Sequence, residues 1–293
     1  MYYFIVNPVA GHGRCPKIMQ ALSKILLTKK IEHEIVITKS AGHAEQLATA
    51  AASAGYRAVV AVGGDGTVME TAAGLLKAGG TAALGIIPGG TGNDYRRSLG
   101  IPMDAECALN IVLDGEQKQV DAGLFNGKPF FNIGSIGFDV SVVEQSRRIR
   151  APGGLAYYLA VFITLMRYRC RKMRLWVDNV LQEKEMLLTA IGNGLFYGGG
   201  MKVLPDAEPG DGSLDVCVVE KIPRFKIAML FPQFPSGRHG KFPFVRFYRC
   251  KKVVIDSMGE PFAVQTDGEV HSGVTNAEFM ILPGALKVLA PAR

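Results

Sequence analysis

The chain has 293 residues, 48% of them hydrophobic and 20% charged, with a formal net charge of +7. That composition supports a sizeable core, excludes a disordered chain and suggests two domains as a prior. Its five scattered cysteines (Cys15, Cys107, Cys170, Cys217 and Cys250) show no C-x-x-C spacing, which argues against a disulfide framework or a zinc cluster and fits a reducing cytosol.

The opening run Met1-Tyr2-Tyr3-Phe4-Ile5-Val6-Asn7-Pro8 has neither a basic region nor a long apolar one, so it does not read as a secretory signal. The longest apolar run, Leu155 to Met166, falls well short of the ~20 residues a spanning helix needs. The expectation is a soluble or peripheral protein. In chain order, Tyr2–Val6 reads as a strand and Pro16–Thr28 as a helix, with Ile18, Leu22, Ile25 and Leu26 at helical spacing. Glu34–Thr38 is a second strand and Ala44–Ala54 an Ala-rich helix. Ala58–Val62 is a continuous apolar strand of the kind buried on both faces of a parallel sheet. Thr67–Lys77 (helix), Ala83–Ile87 (strand) and Ala105–Leu113 (helix) complete an alternation that predicts a parallel α/β sheet.

After about Gln117 short β-like runs follow one another: Gln119–Phe125, Pro129–Ile133, Arg174–Val177, Met186–Gly192, Leu214–Val219, Val253–Ile255, Phe262–Thr266 and Glu278–Leu282. Turn signals at Asn126-Gly127, Asp178-Asn179 and Pro283-Gly284 separate them, and helical stretches interrupt near Leu155–Tyr168 and Arg224–Phe231. This predicts an α/β domain over 1–117 and a mostly antiparallel β domain over 118–293, whose last strands can return to the first.

Eight Lys/Arg and no acid lie between Arg147 and Arg174, including Arg148 and Arg150, and six more between Ser236 and Lys252. Clustered cations point to nucleic acid or an acidic membrane surface. Phe242, Phe244, Phe247 and Tyr248 interleave the second cluster, a pattern suited to stacking on bases or to a lipid interface. A strand with a solvated basic face fits equally well.

Three Gly-rich turns follow predicted strands: Asn7-Pro8-Val9-Ala10-Gly11-His12-Gly13-Arg14, Gly63-Gly64-Asp65-Gly66-Thr67 and Pro88-Gly89-Gly90-Thr91-Gly92-Asn93-Asp94. Glycine lets backbone approach a phosphate, and a following helix N-terminus supplies free N–H groups. None matches G-x-x-x-x-G-K-[ST] or G-x-G-x-x-G, so a P-loop or dinucleotide fold is excluded. One such turn is commonly just a tight βα connection; three on one sheet edge point to a nucleotide.

These three runs resemble the nucleotide motifs of the diacylglycerol kinase/sphingosine kinase family of lipid kinases. Asn132-Ile133-Gly134-Ser135-Ile136-Gly137-Phe138-Asp139, Gly192-Asn193-Gly194 with Tyr197-Gly198-Gly199-Gly200, Pro205, Asp211-Gly212-x-Leu214-Asp215 and Asp267-Gly268-Glu269 continue the resemblance in the family's order. It implies an α/β nucleotide domain like that of NAD kinases and phosphofructokinases, a C-terminal β-sandwich, and an active site between them. It also implies that ATP is held by Asn7, Pro8, Val9, Ala10, Gly11, Thr38, Gly63, Gly64, Asp65, Gly66, Thr67, Val68, Met69 and Thr91, with Asn93 and Asp94 in the third turn. Glu269 would accept the proton of a lipid hydroxyl. Mg2+ would sit on Asp211 and the carbonyls of Glu208 and Ser213, and Asp65 would reach the catalytic ion through water. The family often has a hydroxyl where Ala10 stands, and many bacterial members a Lys where His12 stands; Arg14 and Arg97 are the candidates for phosphate charge.

Phosphoryl transfer needs positioning, a metal and a base, and Asp65, Asp211 and Glu269 are of the right types. The five histidines show no metal spacing. The expected activity is ATP-dependent phosphorylation of a lipid alcohol such as diacylglycerol, at the cytoplasmic face of an anionic membrane and without nucleic acid. An NAD kinase-like enzyme would carry Thr-Gly-Ser-Thr-Ala-Tyr, which this chain lacks. A catalytically dead lipid- or nucleic-acid-binding module is the remaining alternative, and retention of Asp65, Asp211 and Glu269 speaks against it.

Overall fold

Strands β1 (Tyr2–Val6), β2 (His33–Ile37), β3 (Ala58–Gly63) and β4 (Ala83–Pro88) run parallel in the order β4-β3-β1-β2. The structure, a computed structural model, describes residues 1–149, 159–160, 163–164 and 167–292, leaving aside the side chains of 146–148. The predicted helix Leu155–Tyr168, the apolar run Leu155–Met166, Arg150 and the side chains of Arg147 and Arg148 lie wholly or partly outside the described residues.

Strands β1, β3 and β4 are buried along their whole length, as their unbroken apolar sequences require, whereas no residue of edge strand β2 is fully buried. A short helical turn α1 (Ala10–Gly13) leads into α2 (Cys15–Thr28), which packs on α6 (Ala105–Asp114). The pair α3 (His43–Ser53) and α4 (Asp65–Lys77) forms the other helical pairing on β1 and β3. Helix α4 begins two residues before the predicted Thr67, so Asp65 sits in its first turn. A short helix α5 (Asp94–Ser98), not read from the sequence, follows the third Gly-rich turn.

The second half is antiparallel. Its strands are β5 (Glu116–Phe125), β6 (Lys128–Phe130), β7 (Ile133–Gly137), β8 (Arg171–Val177), β9 (Val180–Gly192), β10 (Phe196–Tyr197), β11 (Met201–Lys202), β12 (Leu214–Glu220), β13 (Val245–Cys250), β14 (Lys252–Asp256), β15 (Phe262–Thr266), β16 (Glu269–Val274) and β17 (Asn276–Ala290). The order β16-β15-β7-β9-β8-β14-β17 continues into β4, so one sheet system spans both halves. Helices α7 (Phe138–Arg148) and α8 (Arg224–Leu230) pack against it.

Two expectations are corrected. Pro129–Ile133 is not one strand: the chain breaks between β6 and β7 because the N–H groups of Phe131, Asn132 and Ile133 donate to the Asp267 carboxylate at 2.7, 3.0 and 3.1 Å. Pro283-Gly284 is not a terminal turn either. It is an irregularity within β17, where the register shifts between Leu282 and Leu286 and the strand runs on to pair with β4 at Val288↔Leu84. The turns at Asn126-Gly127 and Asp178-Asn179 do join hairpins β5–β6 and β8–β9.

Inside the antiparallel half the fully buried Phe279 ring lies 5.2 Å from Phe125 and 5.8 Å from Phe130, centroid to centroid. Phe279→Ala is expected to lower the unfolding free energy by ~3–5 kcal/mol in denaturant titration, through lost burial and the cavity left behind.

Candidate active site

The three Gly-rich turns leave adjacent strands β1, β3 and β4 on the same edge of the sheet and pack against one another. A Cβ on Gly11, which has φ +57, would lie 1.9 Å from the Gly89 carbonyl oxygen. One on Gly90 would lie 2.3 Å from the Gly64 Cα. Side chains tie the turns further. Asn7 Nδ2 donates to Thr67 Oγ1 at 2.9 Å, and Arg14 donates to the carbonyls of Gly89 and Gly90 at 3.2 and 2.8 Å. Asn93 is buried at φ 51 and closes its own turn through Gly90. Thr38 is buried at the end of β2, Val68 is buried in α4, and Thr91 is exposed. Val9 is 78% exposed, leaving the first turn open to solvent.

Facing these turns is a cavity of about 220 Å³ whose lining brings together four carboxylates from separate stretches of sequence: Asp65, Asp94, Asp139 and Asp267. Asp65 Oδ1 accepts from the Tyr95 N–H at 3.1 Å. Asp94 accepts from Arg97 at 2.7 Å and from the Gly199 N–H, also at 2.7 Å, so α5 is fastened to the Tyr197-Gly198-Gly199-Gly200 turn of the second half. That turn needs its glycines: Gly198, Gly199 and Gly200 have φ of 61, 83 and 116. Burial pushes the Asp94 carboxyl above its ordinary range, while Gly199 and Arg97 pull it down.

Asp267 and Gly268, at φ 50 and 90, form the two-residue turn between β15 and β16. The Asp267 carboxylate clamps residues 131–133 and is pushed up to about 6 by desolvation, despite those three N–H donors. The oxygens of Asp139 are shut off from solvent without a well-formed hydrogen bond. Burial pushes its carboxyl up to about 6 as well, with the nearby hydroxyls of Ser135 and Tyr197 acting the other way. Glu269 is exposed at the start of β16, one residue beyond the cavity lining, which ends at Gly268.

The other predicted residues sit apart from this cavity. The Glu208 carbonyl accepts from the N–H groups of Gly210 and Asp211 at 2.7 and 3.3 Å, and Asp211 Oδ1 accepts from the Ser213 N–H at 2.9 Å. Arg249 lies 3.2 Å from Asp211 and 3.5 Å from Asp215. Asp215 Oδ2 is buried without a partner, which fits a hard cation held with Asp211 and nearby carbonyls. Among the described residues no three His, Cys, Asp or Glu converge tightly enough to form a metal centre by themselves. Sequence reasoning missed Asp121, a buried carboxylate in β5 that accepts from the N–H groups of Gly212 and Gly284, both at 2.7 Å. The signal was present: an Asp within the otherwise apolar run Val120–Phe125.

Comparison with known proteins gives the same answer in both halves. The family model described as a diacylglycerol kinase catalytic domain matches residues 1–125, and the YegS C-terminal NAD kinase β-sandwich-like domain matches residues 132–290. A Mycobacterium tuberculosis protein named diacylglycerol kinase is 34% identical over 295 residues, covering 98% of this chain and 94% of that protein. A Pseudomonas aeruginosa protein named "Probable lipid kinase YegS-like" is 34% identical over 263 residues, covering 89% of this chain and 85% of its own. The crystal structure of a Bacillus anthracis diacylglycerol kinase superposes with a TM-score of 0.77 at 26% identity, covering 99% of this chain and 96% of that one.

The cavity carboxylates make a pH dependence testable. Asp139 titrates near 6 when folded, against about 4 in an unfolded chain. Between those values the folded state holds the extra proton, so this group's contribution to stability falls as pH rises from about 4 to 6 and stays low above. Asp139→Asn removes that loss. The variant is expected to gain ~1–3 kcal/mol over wild type at pH 8 and nothing at pH 4, in paired denaturant titrations.

Proposed function

The chain belongs to the lipid kinase family that joins a diacylglycerol kinase catalytic domain to a YegS-type C-terminal domain, and on that premise we propose that it transfers the γ-phosphate of ATP to a hydroxyl of a membrane lipid such as diacylglycerol. The observation that carries the reading is the stacking of three glycine turns on one sheet edge, opposite a cavity lined by Asp65, Asp94, Asp139 and Asp267. We take residues 1–117 as the nucleotide domain and 118–293 as the lipid domain.

In this mechanism the turns Asn7–Gly11 and Gly63–Met69, with Thr38, Thr91, Asn93 and Asp94, cradle ATP. The first-turn N–H groups of α4 point at its phosphates, where the helix dipole favours negative charge. Asp65, in that same turn, would hold the nucleotide's Mg2+. Asp211 and the carbonyls of Glu208 and Ser213 would hold a second ion. Magnesium, when bound, neutralises phosphate charge and orients the terminal phosphoryl group. Glu269 accepts the proton of the attacking lipid hydroxyl, whose pKa lies far above 7. The basic stretches on the second half bring the enzyme to the inner face of an anionic membrane, as a peripheral cytoplasmic protein that does not need nucleic acid.

Steady-state kinetics on diacylglycerol in mixed micelles test the roles. Glu269→Gln is expected to lower kcat by ~10²–10⁴ with ATP affinity nearly unchanged. Asp65→Asn is expected to lose most activity while staying folded. A wild-type rate in the Glu269→Gln variant would move the base to Asp65. The second ion has a readout independent of turnover. Magnesium should raise the wild-type melting temperature, and Asp211→Asn should flatten that rise; an equal rise in both proteins would place the ion elsewhere.

A further inference from the structure

Helix α8 has two unlike faces. Ile227 and Leu230 are buried in the same apolar cluster as Phe138, Leu187 and Ile222. On the other side Phe225 and Met229, one turn apart, are 67% and 58% exposed. Exposed Arg224 and Lys226 flank them. Beside the helix the rings of Phe242 and Phe244 stack at 5.1 Å, with Lys226 Nζ 5.9 Å from the Phe244 centroid and Lys241 Nζ 5.3 Å from that of Phe242. An aromatic strip thus carries a cation at each end and two unburied apolar side chains on the adjoining helix.

Its charge has one sign. Between Lys221 and Phe247 stand six Lys/Arg (Lys221, Arg224, Lys226, Arg238, Lys241 and Arg246) and no Asp or Glu. Two acids near the start of the stretch, Glu185 and Glu220, are ion-paired with Lys221 and Lys184. Among the described residues Arg224, Lys226, Arg238, Lys241 and Arg246 form no ion pair.

We propose that the outer face of α8, with the Lys241–Phe244 segment beside it, is a membrane-docking surface that sinks Phe225 and Met229 into the headgroup–acyl boundary of an anionic bilayer. Apolar side chains ringed by long cationic ones are the arrangement such a boundary accepts: the stems lie along the acyl region and the charges reach the phosphates. A second copy of the chain is a poor occupant, because a two-fold interface sets the same patch against itself and would face cations with cations. The placement also serves the cleft. Phe231, the residue after α8, packs its ring 5.6 Å from Phe138, whose chain neighbour Asp139 lines the carboxylate cavity. A cavity of about 400 Å³ opens between Phe138 and Ile227, beneath the helix. Docking here holds the cavity wall against the surface from which a lipid hydroxyl must come, so the inference rests on the lipid kinase reading for its purpose.

The test uses vesicles of phosphatidylcholine with and without phosphatidylglycerol, scored by flotation. The Phe225→Ser/Met229→Ser double variant is expected to partition ~10-fold or more weakly onto the anionic vesicles, the loss of two inserted apolar side chains. Arg224→Glu/Lys226→Glu is expected to weaken anionic binding several-fold and to leave the weak binding to neutral vesicles unchanged. Turnover on a short-chain, water-soluble diacylglycerol should match wild type in both. A Phe225→Trp protein should show blue-shifted emission, quenched by brominated lipid, on vesicle addition, beyond that of the native Trp176. Wild-type vesicle binding by the double variant, or no quenching at position 225, overturns the proposal. So does a wild-type dimer that Phe225→Ser dissolves, or single-stranded nucleic acid binding lost in the variants while vesicle binding persists. If wild type docks through α8 yet phosphorylates no lipid alcohol in detergent micelles, the docking surface stands and the lipid kinase reading falls; micellar turnover with α8-independent binding is the reverse.

Discussion

A single fifteen-residue strand fastens the parallel sheet to the antiparallel one. Strand β17 pairs with β14 over its first residues and with β5 along nearly its whole length, then ends beside β4. That last step joins the sheet that carries the three glycine turns to the antiparallel one, and the Asp94–Gly199 hydrogen bond ties the two halves a second time. On the way β17 does not turn at Pro283-Gly284. Proline there costs no ladder bond that matters, since the shift between Leu282 and Leu286 leaves those residues out of register, and the Gly284 N–H is taken by Asp121. The Asp121 carboxylate also holds the Gly212 N–H, so one buried acid joins strand β5, the irregularity in β17 and the loop that carries Asp211.

The carboxylates of the cavity divide by what satisfies them. Asp94 and Asp267 are engaged by backbone N–H groups from the opposite side of a chain break or from the opposite half, and so act on position. Asp139 is buried with no backbone donor from the opposite half, only its neighbour Val140 and the hydroxyls of Ser135 and Tyr197 close by. Arg97 offsets part of the cavity's negative charge through its ion pair with Asp94, and the N-terminus of α4 lies beside Asp65.

The alternation of strand and helix up to residue 117 was legible because each strand is buried on both faces and so reads as an unbroken apolar run, as in Ala58–Val62. The antiparallel half was legible as a series of strands but not in its joints. Nothing local in Phe131-Asn132-Ile133 marks a break, because the carboxylate that takes their N–H groups is 134 to 136 residues away. Strand β13 hides in a basic, aromatic stretch whose exposed residues obscure the period. At the site, glycine composition gave the turns, but not that Gly11, Gly64, Gly89 and Gly90 are glycines partly because the turns touch one another. Asp139 and Asp267 lay inside recognised motifs, yet their burial depends on packing that no single motif encodes.

In the run Asp267-Gly268-Glu269 a hairpin turn and the proposed base occupy the same three residues. Read as a turn, Asp-Gly at positive φ is the expected hairpin chemistry, and the structure has it. Read as a site, three residues in a row at the cavity mouth look redundant. The geometry separates them. Asp267 spends its carboxylate on the backbone of 131–133, which fixes the hairpin to the break between β6 and β7. Gly268 donates its N–H to Gln265 and supplies the second positive φ. Only Glu269 has a side chain with no bond of its own among the described residues, on an element whose position Asp267 has already locked. The base role proposed for Glu269 asks for a residue held by its backbone yet free at its carboxylate, and a hairpin pinned two residues upstream is compatible with both conditions.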